Sequence, residues 1–471
     1  MLQYIYRLYL IYLWVVPKLF LRRVVKMALT KEVLKSFKER FDSCKTNKIV
    51  AASVSKVGIS EASTNHEVMK RHNFKFSDVT KKGEITNQKA SGRCWMFSAL
   101  NVARVTTMEN LNLKTMEYSQ TYTLFWDKLE KSNFFLENII ETLDESTDSR
   151  LVSHLLTAPI QDGGQWDMFK GLLEKYGVVP KGIMPETFHS SNTRMMETII
   201  TKHLRKSACE MRKLHKEGKD LKEIEKIKDE TLYTVYNILT KCLGEIPETF
   251  TYEYTDKDEK FHRISNITPL EFFNKYVGWN LKDRISLINA PTEDKPYGKA
   301  YTVKFLGSVK ESDRIKYINV PIEVLKESAI KSIKAGEPVW FGCDVAQMLE
   351  KNKGIMDLDM FLYDDIFPAC ENFTKAERLD YHESILTHAM VFTGVNLDEN
   401  GKPLEWQVEN SWGDTLGDKG IFSMTDEWFE EYNYEIMVDK KYIDEKWLKA
   451  LDEEVIELEP WDPFGALARL K

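Results

Sequence analysis

The chain has 471 residues, of which 43% are hydrophobic and 30% charged, a balance typical of folded globular proteins that excludes large-scale disorder. The formal net charge of −7 argues against a protein whose main role is to coat nucleic acid, because such proteins are basic. Six scattered cysteines without a Cys-x-x-Cys pair exclude a small disulfide scaffold and predict free thiols in a reducing compartment.

Residues 1–26 differ from the rest of the chain because they are basic and contain no acidic residue; the first is Glu32. Their longest uncharged run, Leu8 to Pro17, is shorter than the roughly 20 residues that span a bilayer. A mitochondrial presequence and a membrane-surface anchor both fit this composition. The alternative is that synthesis normally begins at Met27. A membrane partner is therefore expected only if residues 1–26 are retained.

The remaining chain has a helix-rich first half and a strand-rich second half. A mostly apolar helix is predicted from Cys94 to about Leu111, and the two glycines in Asp162–Gln165 predict a turn or helix N-cap. Strands are predicted at Phe250–Tyr254, Tyr301–Leu306, Val339–Cys343, His388–Leu397, Leu404–Glu409, Gly420–Met424 and Tyr434–Asp439. This order predicts an α+β enzyme with its cleft between the two halves.

The predicted domains follow these changes in character. Residues 27–191 form the helical half, the charged residues 192–245 form a helical insertion, and residues 246–450 form the β-rich half. The basic extension of residues 1–26 precedes them, and a tail of residues 451–471 follows.

Cys94 is the predicted nucleophile because a glycine-containing turn delivers it to the start of a buried helix. The helix dipole and the unpaired N–H groups at a helix start favour negative charge. We therefore predict that this thiol ionises more readily than a free one, whose pKa is about 8.5. The other five cysteines are interpreted as buried and unreactive.

Three further residues complete the predicted site. Gln88, six residues before Cys94, can donate its amide N–H to a developing oxyanion together with the Cys94 backbone N–H. His388, at the start of an apolar strand, can accept the thiol proton. A hairpin that turns near Asn400 would bring Asn410 beside the histidine, where the amide oxygen fixes the imidazole tautomer. Singly, such a glutamine is usually a surface residue and such a histidine a core residue, so the prediction depends on the ordered set.

The ordered set resembles the papain family in its sequence neighbours and in the six-residue step from glutamine to cysteine. Two features depart from that family. His388 follows Cys94 by 294 positions rather than about 130–150. Ser91 replaces the disulfide cysteine of secreted relatives in their Cys-Gly-Ser-Cys motif.

These departures, together with further stretches of the sequence, resemble the bleomycin hydrolase family over about residues 30 to 468. The stretches are Gln88–Asn101, Asp162–Met168, Pro247–Tyr254, Ile267–Phe272, Val339–Asp344, Lys375–Leu379, Met424–Phe429 and Leu458–Ala468.

The resemblance implies a papain-like fold in which a helical domain and a β-barrel-like domain flank the active-site cleft, with the helical insertion added. It implies a cytoplasmic homohexameric barrel whose active sites face an internal chamber; a mitochondrial location would follow if the N-terminal extension is used. It also implies aminopeptidase action on peptides, on the bleomycin amide and on homocysteine thiolactone. Peptides and copies of the same chain are the expected partners, and no cofactor or metal is expected.

The resemblance further implies that the C-terminal tail lies in the cleft, where its carboxylate pairs with the α-ammonium group of the substrate. Ala468 is therefore a predicted substrate-binding residue. The chain continues past it with Arg469, Leu470 and Lys471, which we predict Cys94 to trim. The alternative is a frayed, exposed end.

Four more residues are predicted to contact or cover the substrate. Asp162, Gly163 and Gly164 are expected to line the cleft, because glycine lets a substrate strand approach the backbone closely. Trp412 is expected to cover the hydrogen bond between the histidine and the asparagine. A bare turn is the alternative for Asp162–Gly164.

Three other functions compete with this prediction. A metallopeptidase is suggested by His382-Glu383 before His388, but the zincin motif needs histidines four apart on a helix and these are six apart. A nucleic-acid-binding relative is the second, since some fungal members bind DNA, and net acidity argues against it. An inactive peptide-holding module is the third, and the complete set of site residues argues against it.

Overall fold

The computed structural model describes residues 29–367 and 373–467. The expectations for residues 1–26, Ala468, Arg469, Leu470 and Lys471 lie outside these ranges. The chain forms two compact units. In the described part, the smaller unit comprises residues 29–64 and 361–367, and the larger comprises residues 65–360 and 373–467.

The helices are, in chain order, α1 (Lys31–Ser43), α2 (Lys45–Val57), α3 (Ile59–Ser63), α4 (His66–Arg71), α5 (Cys94–Asn110), α6 (Gln120–Glu141), α7 (Arg150–Thr157), α8 (Trp166–Tyr176), α9 (Phe188–Ser191), α10 (Arg194–Lys216), α11 (Leu221–Leu243), α12 (Pro269–Phe272), α13 (Ile322–Lys334), α14 (Tyr363–Ile366), α15 (Lys375–Asp380), α16 (Asp426–Tyr432) and α17 (Glu445–Leu448). None of the helices in the described ranges combines the length and apolar character needed to cross a membrane.

The strands are β1 (Asp78–Val79), β2 (Phe250–Thr255), β3 (Phe261–Ile267), β4 (Arg284–Ile288), β5 (Lys299–Val303), β6 (Tyr317–Asn319), β7 (Val339–Cys343), β8 (Leu349–Glu350), β9 (Ile355–Met356), β10 (His388–Leu397), β11 (Pro403–Glu409), β12 (Ile421–Thr425), β13 (Asn433–Asp439) and β14 (Ile456–Leu458). All but β2 and β3 belong to one mixed sheet in the order β14-β5-β6-β4-β13-β7-β10-β11-β12-β9-β8, with β1 paired to β10; β2 and β3 form a separate hairpin.

The smaller unit consists of α1, α2, α3 and α14 with their connections. Thr30 caps α1, because its side chain accepts a hydrogen bond from the Val33 N–H. The Leu362 N–H donates to the Ser63 carbonyl at 2.8 Å, which joins the two chain segments of the unit.

The larger unit packs apolar side chains on both faces of the sheet, because successive residues of a strand point to opposite faces. In β7, Val339 and Phe341 belong to one apolar cluster together with Leu325 of α13. Trp340 between them belongs to the other cluster, which includes Trp95 and much of α5. The site therefore lies where α5 packs against one face of the central strands.

The sequence predictions of the main elements are confirmed. The helix expected at Cys94 ends at Asn110 and is buried on most sides, the charged insertion contains the hairpin of α10 and α11, and every predicted strand is present with bounds shifted by a few residues at most. Seven strands were not predicted, namely β1, β3, β4, β6, β8, β9 and β14, and neither were the helices of the second half, α12 to α17. The fold class is mixed α and β, built on one large mixed sheet.

Candidate active site

The nucleophile loop is held in place by a buried ion pair directly before Cys94. Arg93 is fully buried and donates two parallel hydrogen bonds to the Glu186 carboxylate, at 2.9 and 2.8 Å. Its backbone lies outside the helical region, and the helix begins at Cys94. A bidentate pair fixes the orientation of the guanidinium group as well as its distance from the carboxylate, so it holds the residue directly before the start of α5 in place.

Burial controls the ionisation of the Cys94 thiol. The sulfur is completely buried, and this raises the pKa of Cys94 to about 12, although backbone N–H groups of Ala389 and Trp95 oppose the shift. The prediction that the helix start makes this thiol acidic by itself is therefore wrong. The cost of taking a lone thiolate out of water exceeds the stabilisation that the helix start and the nearby N–H groups supply.

His388 is the first residue of β10 and is also completely buried. Its Nε2 lies 3.0 Å from the Asn410 Oδ1, and the Trp412 ring lies 4.8 Å from the imidazole between ring centroids. Burial lowers the pKa of His388 to about 4, with a smaller contribution from the charge of Lys351, while the hydrogen bond that the ring donates to Asn410 opposes the shift. A neutral imidazole that donates from Nε2 keeps the lone pair of Nδ1 for a proton.

The structure brings Cys94 and His388 to one place. The Ala389 N–H, next to His388, lies close enough to the Cys94 sulfur to lower its pKa. One turn further along α5, the Ser98 hydroxyl donates to the Ala389 carbonyl at 2.8 Å. The predicted nucleophile and base therefore meet where α5 contacts β10. Within the described ranges, the His388 Nδ1 is buried without a hydrogen-bond partner.

Gln88 is tied to the segment that carries Asn410. Its backbone N–H donates to the Ser411 carbonyl, and the Ser411 hydroxyl donates to the Gln88 Oε1, each at 2.8 Å. The Gln88 Nε2 donates to the Ser91 carbonyl at 2.7 Å. An amide nitrogen carries two hydrogens, so one remains for another acceptor.

The segment Asp162–Gly164 lies against Trp95, directly after the nucleophile. The Trp95 Nε1 donates to the Asp162 carbonyl at 2.6 Å. A Cβ atom on Gly164 would lie 2.5 Å from the indole ring, so the close packing with Trp95 itself requires glycine at this position. The carboxylate of Asp162 is directed into the protein, where it accepts a hydrogen bond from the Gly92 N–H at 2.7 Å.

A cavity of about 280 Å³ lies next to the segment that precedes His388. Leu386 and Thr387, which precede His388, line it on one side, and Gln161 lines it on another. The tail residues Ala466 and Leu467 also line it, and the Gln165 Nε2 donates to the Ala466 carbonyl at 2.5 Å. The predicted contact of Ala468 with substrate lies outside the described residues.

The zincin arrangement is not formed. His382 lies between α15 and β10, is exposed, and has a φ of 58°, so it is not on a helix with His388. Among the other cysteines, the prediction of burial is confirmed for Cys343 and wrong for Cys44 and Cys209, which are exposed.

Several buried charged residues around the site were not predicted. Arg104 of α5 pairs with Glu409, the residue before Asn410, at 2.6 Å. Lys128 and Lys131 of α6 lie under the Asp162–Gly164 segment. A charged residue inside an otherwise apolar helix, as at Arg104, was the available signal, because such a residue needs a buried partner.

Comparison with known proteins identifies the family. A family model described as the Peptidase C1-like family matches residues 28–465. The chain belongs to this family. It is 48% identical over 440 residues to the aminopeptidase C of Listeria monocytogenes, which covers 93% of this chain and 99% of the relative. It is 44% identical over 405 residues to the bleomycin hydrolase of Homo sapiens, which covers 84% and 89% of the two chains.

A solved structure extends the likeness to the fold. The crystal structure of PepW from Lactobacillus rhamnosis HN001 matches this C1-like peptidase with a TM-score of 0.92 and 44% identity, over 94% of this chain and 100% of that one. The predicted resemblance to bleomycin hydrolase, the papain-like fold and the cysteine-type aminopeptidase class are thereby confirmed. The domain boundaries and the roles of individual residues stay predictions.

Proposed function

We propose that this C1-like peptidase removes N-terminal residues from peptides through a thioacyl-enzyme intermediate on Cys94. Related amides and thiolactones, including bleomycin and homocysteine thiolactone, are the additional substrates. The observation that supports this most directly is the approach of the Cys94 sulfur to β10 beside His388, whose ring donates to Asn410 at 3.0 Å. The likeness to proteins named aminopeptidase C and bleomycin hydrolase supports the same reaction.

Acylation follows from this arrangement. His388 accepts the thiol proton at Nδ1, and the thiolate attacks the carbonyl carbon of the substrate. The remaining N–H of the Gln88 side chain and the Cys94 backbone N–H stabilise the oxyanion of the tetrahedral intermediate. His388 then protonates the departing amine. A water molecule hydrolyses the thioester, with His388 acting as base again, and regenerates the thiol.

Proton transfer inside the pair avoids the cost that burial imposes on each group. Burial disfavours a lone thiolate and a lone imidazolium, as the opposite pKa shifts of Cys94 and His388 indicate. When the proton passes between them, the net charge of the site stays zero and each charge gains a partner. Asn410 orients the ring for this transfer, and Trp412 shields the hydrogen bond that holds it.

The aminopeptidase preference is proposed to come from the tail. The described tail reaches Leu467 in a cavity of about 280 Å³, close to the lower end of the roughly 300–1,000 Å³ of ligand pockets. A terminal carboxylate a few atoms further on would meet the α-ammonium group of a substrate and leave room for one residue beyond the scissile bond. The backbone of Asp162, Gly163 and Gly164 would border that residue.

The remaining expectations belong to the same proposal. The finer architecture is a helical domain and a β-barrel-like domain that flank the cleft, with the insertion of residues 192–245 on the helical side. A homohexamer in the cytoplasm, with peptides as partners, fits the resemblance to the bleomycin hydrolase family.

Cleavage of aminoacyl reporters tests the activity. We expect wild type to release the fluorophore from a reporter with a free α-amino group, and Cys94→Ala to release none. A reporter with an acetylated α-amino group should be cleaved far more slowly by wild type. Equal cleavage of the free and the acetylated reporters would refute the aminopeptidase preference, and equal cleavage by the two proteins would refute the role of Cys94.

Intact mass tests the proposed trimming of the tail. Wild type should lose one or more of Arg469, Leu470 and Lys471, whereas Cys94→Ala should keep all three. Identical full-length tails in both proteins would refute self-processing.

A further inference from the structure

Asp162 connects to the chain on both sides of Cys94. Its Oδ2 accepts a hydrogen bond from the Gly92 N–H at 2.7 Å, two residues before the nucleophile. Its backbone carbonyl accepts from the Trp95 Nε1 at 2.6 Å, one residue after it. The same Oδ2 accepts from the Thr193 hydroxyl at 2.5 Å. One residue thus fixes the two ends of the turn that presents the sulfur.

A buried lysine keeps the Asp162 carboxylate ionised. The Nζ of Lys128 lies 2.9 Å from the Asp162 Oδ1, and the lysine side chain is completely buried. Burial by itself raises the pKa of Asp162, but the Lys128 charge and the hydrogen bonds lower it below its usual range. The carboxylate is therefore a charged acceptor, and charge-assisted hydrogen bonds are roughly twice as strong as neutral ones.

A second lysine fixes the backbone that follows. Lys131, one turn after Lys128 on α6, donates to the carbonyls of Gln161 and Gly163 at 2.9 and 2.7 Å. Its Nζ also lies 5.1 Å from the centre of the Trp95 ring. Asp127 pairs with Lys131 at 2.9 Å, so this cation is also neutralised inside the protein.

We propose that Asp162 is a positioning residue that sets the Cys94 sulfur against His388 through the Gly92 and Trp95 contacts. This inference rests on the proposed function, and it differs from the prediction that Asp162 contacts substrate, because the carboxylate oxygens are engaged with Gly92, Thr193 and Lys128.

Substitution Asp162→Asn tests the proposal. It keeps the side-chain size but removes the charge that Lys128 balances, so the Gly92 hydrogen bond weakens and the loop can shift. Because a 1 Å misplacement can cost about 100-fold in rate, we expect kcat for the free aminoacyl reporter to fall by about that factor with KM changed less than about threefold. A side chain that contacts substrate would instead raise KM.

A matched control is the buried pair of Lys326 and Asp426, 2.6 Å apart on the other face of the sheet. Asp426→Asn removes the charge of a buried carboxylate in the same way and should lower the melting temperature without lowering kcat. If both variants lose kcat equally, general destabilisation explains the loss and the proposal fails. A wild-type kcat for folded Asp162→Asn would also overturn it.

Alkylation of Cys94 by iodoacetamide separates this inference from the proposed activity, because it needs no substrate. The Asp162 charge raises the pKa of Cys94, so its removal alone would speed alkylation. We expect slower alkylation in Asp162→Asn than in Asp426→Asn, because a displaced sulfur no longer meets His388, and this holds even if the reporter proves a poor substrate. Should Asp162→Asn not fold, Thr193→Val removes one hydrogen bond from the same carboxylate and keeps the charges. That variant should lose about two- to tenfold in kcat, and a wild-type kcat would overturn the proposal.

Discussion

Removal of the imidazole gives the sharpest test of how Cys94 is activated. In His388→Ala the thiol has no proton acceptor beside it, and burial raises the pKa of Cys94 to about 12. At pH 7.5 an ordinary thiol with a pKa of about 8.5 is roughly one-tenth thiolate, whereas a thiol with a pKa of about 12 is about 3 in 100,000. The reactive fraction of Cys94 is then about 3,000-fold smaller than that of an ordinary cysteine.

The measurement is the rate of iodoacetamide alkylation of the peptide that contains Cys94, followed by mass spectrometry. Cys209 is exposed in the same chain and serves as an internal reference for reagent concentration and quenching. We expect the ratio of the Cys94 rate to the Cys209 rate to fall by about 1,000-fold or more from wild type to His388→Ala. The smaller alanine also widens access to the sulfur, which can only raise the rate, so the measured fall is a lower bound.

Two results would refute this reasoning. An unchanged rate ratio in His388→Ala would mean that the thiolate forms without the imidazole, and that the position at the start of α5 is enough to ionise the thiol. A rate in the variant that reaches a plateau near pH 8.5 would mean that burial does not raise the pKa of Cys94. A thiol with a pKa of about 12 should instead react about tenfold faster per pH unit between pH 7 and pH 10.

The oxyanion donor, one buried carboxyl and one close-packed glycine can each be tested by a single substitution. Gln88→Ala should lower kcat for the free aminoacyl reporter by about 100- to 1,000-fold, because it removes an oxyanion donor. Burial raises the pKa of Glu435 to about 8 from 4.5, so the ionised carboxylate destabilises the folded protein increasingly as pH rises through this window. Glu435→Gln should therefore stabilise the protein at pH 9 by up to about 5 kcal/mol and have little effect at pH 4, measured by urea denaturation. Gly164→Ala should destabilise the fold by about 1–3 kcal/mol in the same assay, because its Cβ would lie 2.5 Å from the Trp95 ring.

Each of these has a contradicting outcome. A Gln88→Ala enzyme with wild-type kcat would exclude Gln88 from the oxyanion site. An equal gain in the free energy of unfolding for Glu435→Gln at pH 4 and pH 9 would show that its carboxyl is not held protonated by burial. An unchanged denaturation midpoint for Gly164→Ala would mean that Trp95 moves freely away from the segment.

Local patterns were sufficient to predict the elements that carry the candidate reacting residues. Apolar residues on all sides of the segment after Cys94 predicted a buried helix, and the helix starts at that residue. The apolar run after His388 and the turn near Asn400 predicted a hairpin, and β10 pairs with β11 up to Glu409 beside Asn410. These features depend on residues close in sequence, which is where periodicity and turn chemistry are informative.

Properties set by distant parts of the chain could not be predicted. The pKa of Cys94 depends on how completely β10 and the other elements around it exclude water from the sulfur. In the sequence, Lys128 looks like an ordinary charged residue of a helix, and only the fold places Asp162 next to it. The unpredicted strand β6 has only three residues, so its pattern spans too few positions to separate strand from loop.

The pKa values of Cys94 and His388 are shifted in opposite directions, and this determines how the pH dependence of the reaction should be interpreted. Alone, the thiol would stay protonated to about pH 12 and the imidazole would stay neutral down to about pH 4. Once one proton is shared, loss or gain of a proton changes the charge of the pair and not of a single residue. The two limbs of a pH–rate profile therefore belong to the Cys94–His388 pair. A substitution at Asn410 that weakens the hydrogen bond to the ring should then move both limbs, because it changes the imidazolium that both protonation steps involve.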